Sequence, residues 1–148
     1  MSFEQAIEGA LCHGWIDGLR RGLDEVFFLQ RFTPRKPRSL WSKINVARVE
    51  RLIEVGRMRP AGLREVEAAK ADGRWQAAYD GAARMQVPDD LADALAKNRK
   101  ARVFFEALDR TNRYAFCFRV HTAKKPETRR ARIEKFVAML ARGEKLHG

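Results

Sequence analysis

A chain of 148 residues fits one domain and is long enough to bury a core without a metal or disulfide scaffold. Its hydrophobic content of 45% is ordinary for a globular protein, but a formal net charge of +11 makes it strongly basic and draws it to nucleic acid, anionic surfaces and acidic proteins. No apolar run approaches the roughly 20 residues of a bilayer span, so no integral membrane segment is expected.

The first element predicted is a helix from a Ser2 cap to about Cys12, with Phe3, Ile7, Ala10 and Leu11 at helical spacing and Gly14 as its stop. Ile16–Leu23 and Val26–Phe32 then read as an antiparallel hairpin around Asp24-Glu25, and the stretch from Thr33 to Pro37 breaks regular structure. Ser39 or Ser42 caps a helix to Val55 with Val46, Val49, Leu52 and Ile53 as its apolar stripe. Pro60 opens another, with Leu63, Val66 and Ala69 inward. After a loop at Gly81–Gln86, helices follow at Leu91–Leu95, around Val103, Phe104, Ala107 and Leu108, after a Thr111 or Asn112 cap, and from Pro126 to Gly143. The fold class is therefore α+β and mainly α-helical: an N-terminal helix, a short antiparallel β-hairpin, and a C-terminal helical bundle. Residues 1–85 form an N-terminal lobe and 86–148 a helical lobe, expected to make one compact unit.

Charge is unevenly spread. Residues 19–59 hold 11 Lys and Arg against 4 Asp and Glu, residues 97–135 hold 13 against 4, and 1–18 and 60–96 are each net −3. Cys12 and Cys117 lie in apolar runs and read as reduced core residues; with no signal-peptide pattern, they point to the cytoplasm.

Several strings occur in order: GWIDG at 14–18, QRFTPRKPRSLWSKIN at 30–45, GRMRPAGL at 56–63, AKADGRW at 69–75, VPDDL at 87–91, NRYAF at 112–116 and TAKKPETRRARIEKFVAML at 122–140. Together they resemble the YdeI/OmpD-associated family of bacterial proteins, often labelled bacteriocin-protection proteins. The resemblance implies envelope stress, resistance to bacteriocins or antimicrobial peptides, and association with an outer-membrane porin. It brings no catalytic residue set. Family members usually carry a further N-terminal segment with a strand-like stretch, so the hairpin here is expected to lack a neighbouring strand.

One candidate site combines Trp15, Asp17, Arg31, Arg35, Trp41, Ser42 and Asn45. Arg31 and Arg35 can hold a phosphate or carboxylate by paired hydrogen bonds, Trp15 or Trp41 can form a stacking wall, and Asp17 can orient an Arg. The structural alternative pairs Asp17 with Arg31 across the strands, buries the tryptophans and makes Ser42 a helix cap. Lys124 and Lys125, ahead of a helix N-terminus, form a second anion candidate, or simply a solvated helix start.

Arg129, Arg130, Arg132 and Lys135 lie mostly off the apolar stripe of the last helix and offer a nucleic-acid surface, or a solvated basic face without any helix-turn-helix, zinc or RNP pattern. His13, His121 and His147 are scattered without metal-site spacing, and adjacent Cys12 and His13 do not face each other on a helix. No catalytic residue, metal or cofactor is expected. These features favour a non-enzymatic binding or stress-protection protein that takes a small anionic ligand or an acidic protein. The alternative is a nucleic-acid-binding module using the basic last helix.

Overall fold

A computed structural model describes residues 1–148. The chain divides into two compact units, Met1–Ala78 and Tyr79–Gly148. The class is the expected one: mainly helical α+β with a single two-stranded antiparallel sheet.

In the first unit, α1 (Phe3–Cys12) begins with a capping box. Ser2 Oγ accepts from the Gln5 amide and the Gln5 side chain accepts from the Ser2 amide, which satisfies two otherwise free ends. Gly14 ends the helix at φ +78°, a conformation that costs glycine little. The chain then runs out along β1 (Trp15–Gly22) and returns along β2 (Phe28–Pro34).

Both strands are displaced from their predicted limits. Asp24 Oδ1 accepts the amides of Val26 (2.8 Å) and Phe27 (2.7 Å), so those residues close the turn instead of opening the second strand. At the other end Thr33 and Pro34 continue the ladder opposite Ile16 and Trp15; proline is tolerated there because it sits at the end of an edge strand.

Ser42, the second of the two predicted caps, accepts from the Asn45 amide and starts α2 (Lys43–Glu54). Pro60 opens α3 (Pro60–Ala71). Ile7, Leu11, Cys12, Trp41, Val49, Leu52, Val66 and Ala69 form the core. Ile53 and Leu63, expected to point inward, are exposed. Gly62 takes the inward place in α3, where a Cβ would stand 2.3 Å from the Cys12 carbonyl oxygen. Backbone contact between α1 and α3 replaces the leucine.

The second unit comprises α4 (Asp89–Ala96), α5 (Arg99–Ala107), α6 (Arg110–His121) and α7 (Pro126–Ala141). Asp109 caps α6, correcting the predicted Thr111 or Asn112: its carboxylate accepts the Asn112 amide, placing Asn112 inside the first turn. The inward face of α5 is Ala101 and Phe105 and not Val103, which is exposed; Ala101, Phe105 and the following Leu108 keep i, i+4, i+7 spacing. Phe116 centres the core, with Phe136 5.1 Å and Phe105 6.4 Å away, both edge-on. Tyr114 and Phe118 pack one turn apart, with ring centres at 5.7 Å. Gly143 follows α7 at φ +74°.

Candidate functional site

The hairpin has two unlike faces, because alternate residues of a strand point to opposite sides. Trp15, Asp17 and Arg20 pair in register with Pro34, Phe32 and Gln30, and these with Phe28 form the face turned to α1. Phe28 meets Phe3 of α1 edge-on at 5.6 Å, and the Arg20 guanidinium lies 3.6 Å from the Phe28 ring centre. Ile16, Arg21, Leu29, Arg31 and Thr33 occupy the outer face. Between Asp17 and Arg20 the register shifts, leaving Gly18 and Leu19 as a bulge opposite Arg31. Leu19 is 77% exposed and Leu29 50%.

This register separates residues that the sequence offered as partners. Asp17 stands opposite Phe32, not Arg31, so Asp17 and Arg31 belong to different faces. Trp15 is 41% exposed but overhangs a groove of about 520 Å³ along Ala6, Gly9, Ala10 and His13 of the α1 side, away from Arg31.

Arg35 and Trp41 lie inside the first unit. Arg35 is 6% exposed, its guanidinium carbon is 3.5 Å from the Trp41 ring centre, and its Nη1 donates to the Leu40 carbonyl at 3.1 Å. Trp41 packs edge-on against Trp75 at 4.9 Å. Ser42 is spent on its cap, and buried Asn45 accepts from Arg48 through its side-chain oxygen. Of this cluster, Arg31 alone is an exposed cation. Its neighbours are Leu29 on the same strand face, Arg21 across from Leu29, and exposed Leu19 in the bulge; simple alternation from Trp15 and Asp17 would place Leu19 and Arg21 on the other face, and the bulge reverses that.

Much of the positive charge is used internally. Arg48 Nη2 donates to both carboxylate oxygens of Glu4 (2.9 and 2.7 Å), while Arg51 and Arg57 converge on Glu8, joining α2 and its end to α1. In the second unit Arg129 pairs with Asp90 and donates to the Val120 carbonyl at 3.0 Å. Arg132 donates to the Arg119 carbonyl at 2.7 Å. These two arginines of α7 thus donate to carbonyls in the last turn of α6, Arg129 adding to the backbone amide that already reaches Val120. The Arg129 guanidinium, hydrogen-bonded to Asp90, holds that carboxyl below its usual range. Arg130 and Lys135 are exposed, as are Lys124 and Lys125, where Lys125 sits at the N-cap of α7 without a side-chain cap bond.

Both thiols are free and buried; burial pushes Cys12 and Cys117 up, so each stays protonated. No helix is long and apolar enough to cross a membrane.

A basic first unit carrying an amphipathic hairpin and a second, all-helical unit define a two-part α+β protein built around charge. Residues 84–143 match the family described as "Bacteriocin-protection, YdeI or OmpD-Associated", and residues 1–65 match a domain of unknown function (DUF8412). The helical C-terminal part is thus similar to the family that its motifs resembled, over residues 84–143. The N-terminal strings of that resemblance, from GWIDG to GRMRPAGL, fall within the second match instead. Neither curated proteins nor solved structures gave a match.

Proposed function

We propose that this chain is a binding protein of the bacteriocin-protection type that acts without catalysis and engages an acidic polypeptide through the outer face of its hairpin. The observation that carries this reading is the placement of Arg21 and Arg31 beside exposed Leu19 and Leu29 on one strand surface. Exposed aliphatic side chains interleaved with guanidinium groups suit a partner that alternates apolar and acidic residues. Each strand of a two-stranded sheet also has an unpaired edge, which supplies backbone donors and acceptors to an added strand. The surplus of Lys and Arg over residues 19–59 supports an acidic partner over a neutral one.

The same charge argues about mechanism. A protein at +11 repels a cationic peptide, so protection here works by occupying an acidic partner and not by sequestering such a peptide. The family description names association with OmpD, and an acidic segment of such a partner is chemistry this face accepts. Two buried free thiols support a reducing compartment, which we take to be the cytoplasm.

The test is binding of the full chain to a synthetic peptide alternating Glu and Val, and to a short DNA duplex, across a salt series. Peptide binding is expected, weakened about tenfold or more by Arg21→Glu with Arg31→Glu and unaffected by Lys124→Glu with Lys125→Glu. Duplex binding with a steep salt slope, sensitive to Arg130 and Lys135 but not to the hairpin, would replace this reading by nucleic-acid recognition.

A further inference from the structure

Arg110 and Arg113, one turn apart at the start of α6, open onto a cavity of about 460 Å³ whose other walls include Met85, Val87, Tyr114 and Cys117. A volume of this order is that of small-molecule sites, which combine an apolar lining with a few convergent polar groups. The lining combines both kinds: two guanidinium groups and a phenol, with aliphatic and sulfur-bearing side chains.

The arginines here differ from those described above. Arg129, Arg132, Arg48, Arg51 and Arg57 are each held by a carboxylate or a carbonyl. Arg110 and Arg113 make no side-chain hydrogen bond or close ion pair, Arg113 acting on Asp109 only at longer range, and no carboxylate lines the cavity. Asp109 already accepts the amide and the side-chain nitrogen of Asn112, so the positive groups at the cavity are the side chains and not the helix end. Tyr114 donates to the Asp80 carbonyl over a long 3.4 Å, a bond weak enough to be exchanged for a better acceptor. Burial raises its pKa, so the hydroxyl stays a donor, and the raised pKa of Cys117 leaves a neutral thiol in the apolar part.

We propose that this cavity binds a small amphipathic oxyanion. A carboxylate or phosphate group sits between Arg110 and Arg113 with Tyr114 as a further donor, and a short apolar group rests against Met85, Val87 and Cys117. The planar guanidinium fork matches both oxyanions, so the arginines set the class and the apolar part sets the size.

The full chain is titrated by calorimetry and NMR with phenyl phosphate, hexanoate and inorganic phosphate. Phenyl phosphate or hexanoate is expected to bind more tightly than inorganic phosphate, and the better of the two identifies the head group. Arg110→Gln with Arg113→Gln should weaken that binding about tenfold or more, the loss expected for charge-assisted hydrogen bonds. Val87→Glu, which places a carboxylate at the rim, should do the same with Arg110 and Arg113 intact. Thermal melts establish that both variants are folded. No binding of either amphipathic probe, equal binding of inorganic phosphate, or unchanged affinity in folded variants would overturn the proposal. So would a loss caused instead by Arg21→Glu with Arg31→Glu, which would assign the anion to the hairpin.

Discussion

The Arg35 guanidinium carbon lies over the Trp41 ring, 3.5 Å from its centre, with both side chains buried. Desolvated cation–π contacts contribute about 2 kcal/mol, more than surface pairs do. Arg35→Ala should therefore destabilise the first unit by about that amount or more, read as a lower urea midpoint in tryptophan fluorescence. Arg35→Lys should restore only part of it, because an ammonium cannot stack as a plane. A fully stable Arg35→Ala protein would show that the stack contributes nothing.

Gly62→Ala tests the crossing of α1 and α3. Alanine gains about 1 kcal/mol of helix propensity over glycine, yet its Cβ would stand 2.3 Å from the Cys12 carbonyl oxygen and 2.8 Å from the carbonyl carbon. Backbone cannot swing aside as a side chain can, so the helices must separate, at a cost typical of overpacking, about 1–3 kcal/mol. The expected result is a lower melting temperature. A higher one would mean that the helices part freely.

Asp90 and Arg129 give the second unit a pH dependence. The carboxyl of Asp90 is depressed in the folded chain, chiefly by the Arg129 hydrogen bond. Its contribution is fully present above the ordinary carboxylate range and is lost as pH falls through the depressed folded value. Both side chains are partly exposed, so the amount is that of a surface pair, roughly 0–1 kcal/mol. Asp90→Asn should lower the urea midpoint at neutral pH, and the difference from the parent should vanish in acid. A difference that persists in acid would contradict the assignment.

At the hairpin tip, the amides of Phe27 and Val26 hold Asp24 below its ordinary range. Their NMR shifts should titrate together with a midpoint under that of a free aspartate. Asp24→Ala should abolish this step and loosen the turn. Independent titration of the two amides would separate them from Asp24.

What the sequence made legible were the local signals. Ser2, Ser42, Pro60, Pro126 and Gly143 each act within one helical turn, and each does what its residue type predicts. The inward face of α5 was less legible, because Val103 and Phe104 are as apolar as Ala101 and Phe105 and only packing chooses between them. The candidate site suffered most. A cation in a sequence carries no mark of whether it will meet solvent, as Arg31 does, or a buried ring, as Arg35 does. Nor does the spacing of Arg129 and Arg132 reveal that carbonyls of a neighbouring helix await them.

The bulge at Gly18 and Leu19 bears on how the hairpin tolerates change in length. Removing Gly18 would let Leu19 stand opposite Arg31, Arg20 opposite Gln30 and Arg21 opposite Leu29, an unbroken ladder with each side chain on its present face. The extra residue is thus not needed to sort the two faces. It bends the ribbon and strengthens its local twist, so a shortened strand would present the same chemistry along a different line, and a partner seated across the bend would lose its fit while each contact residue remained in place.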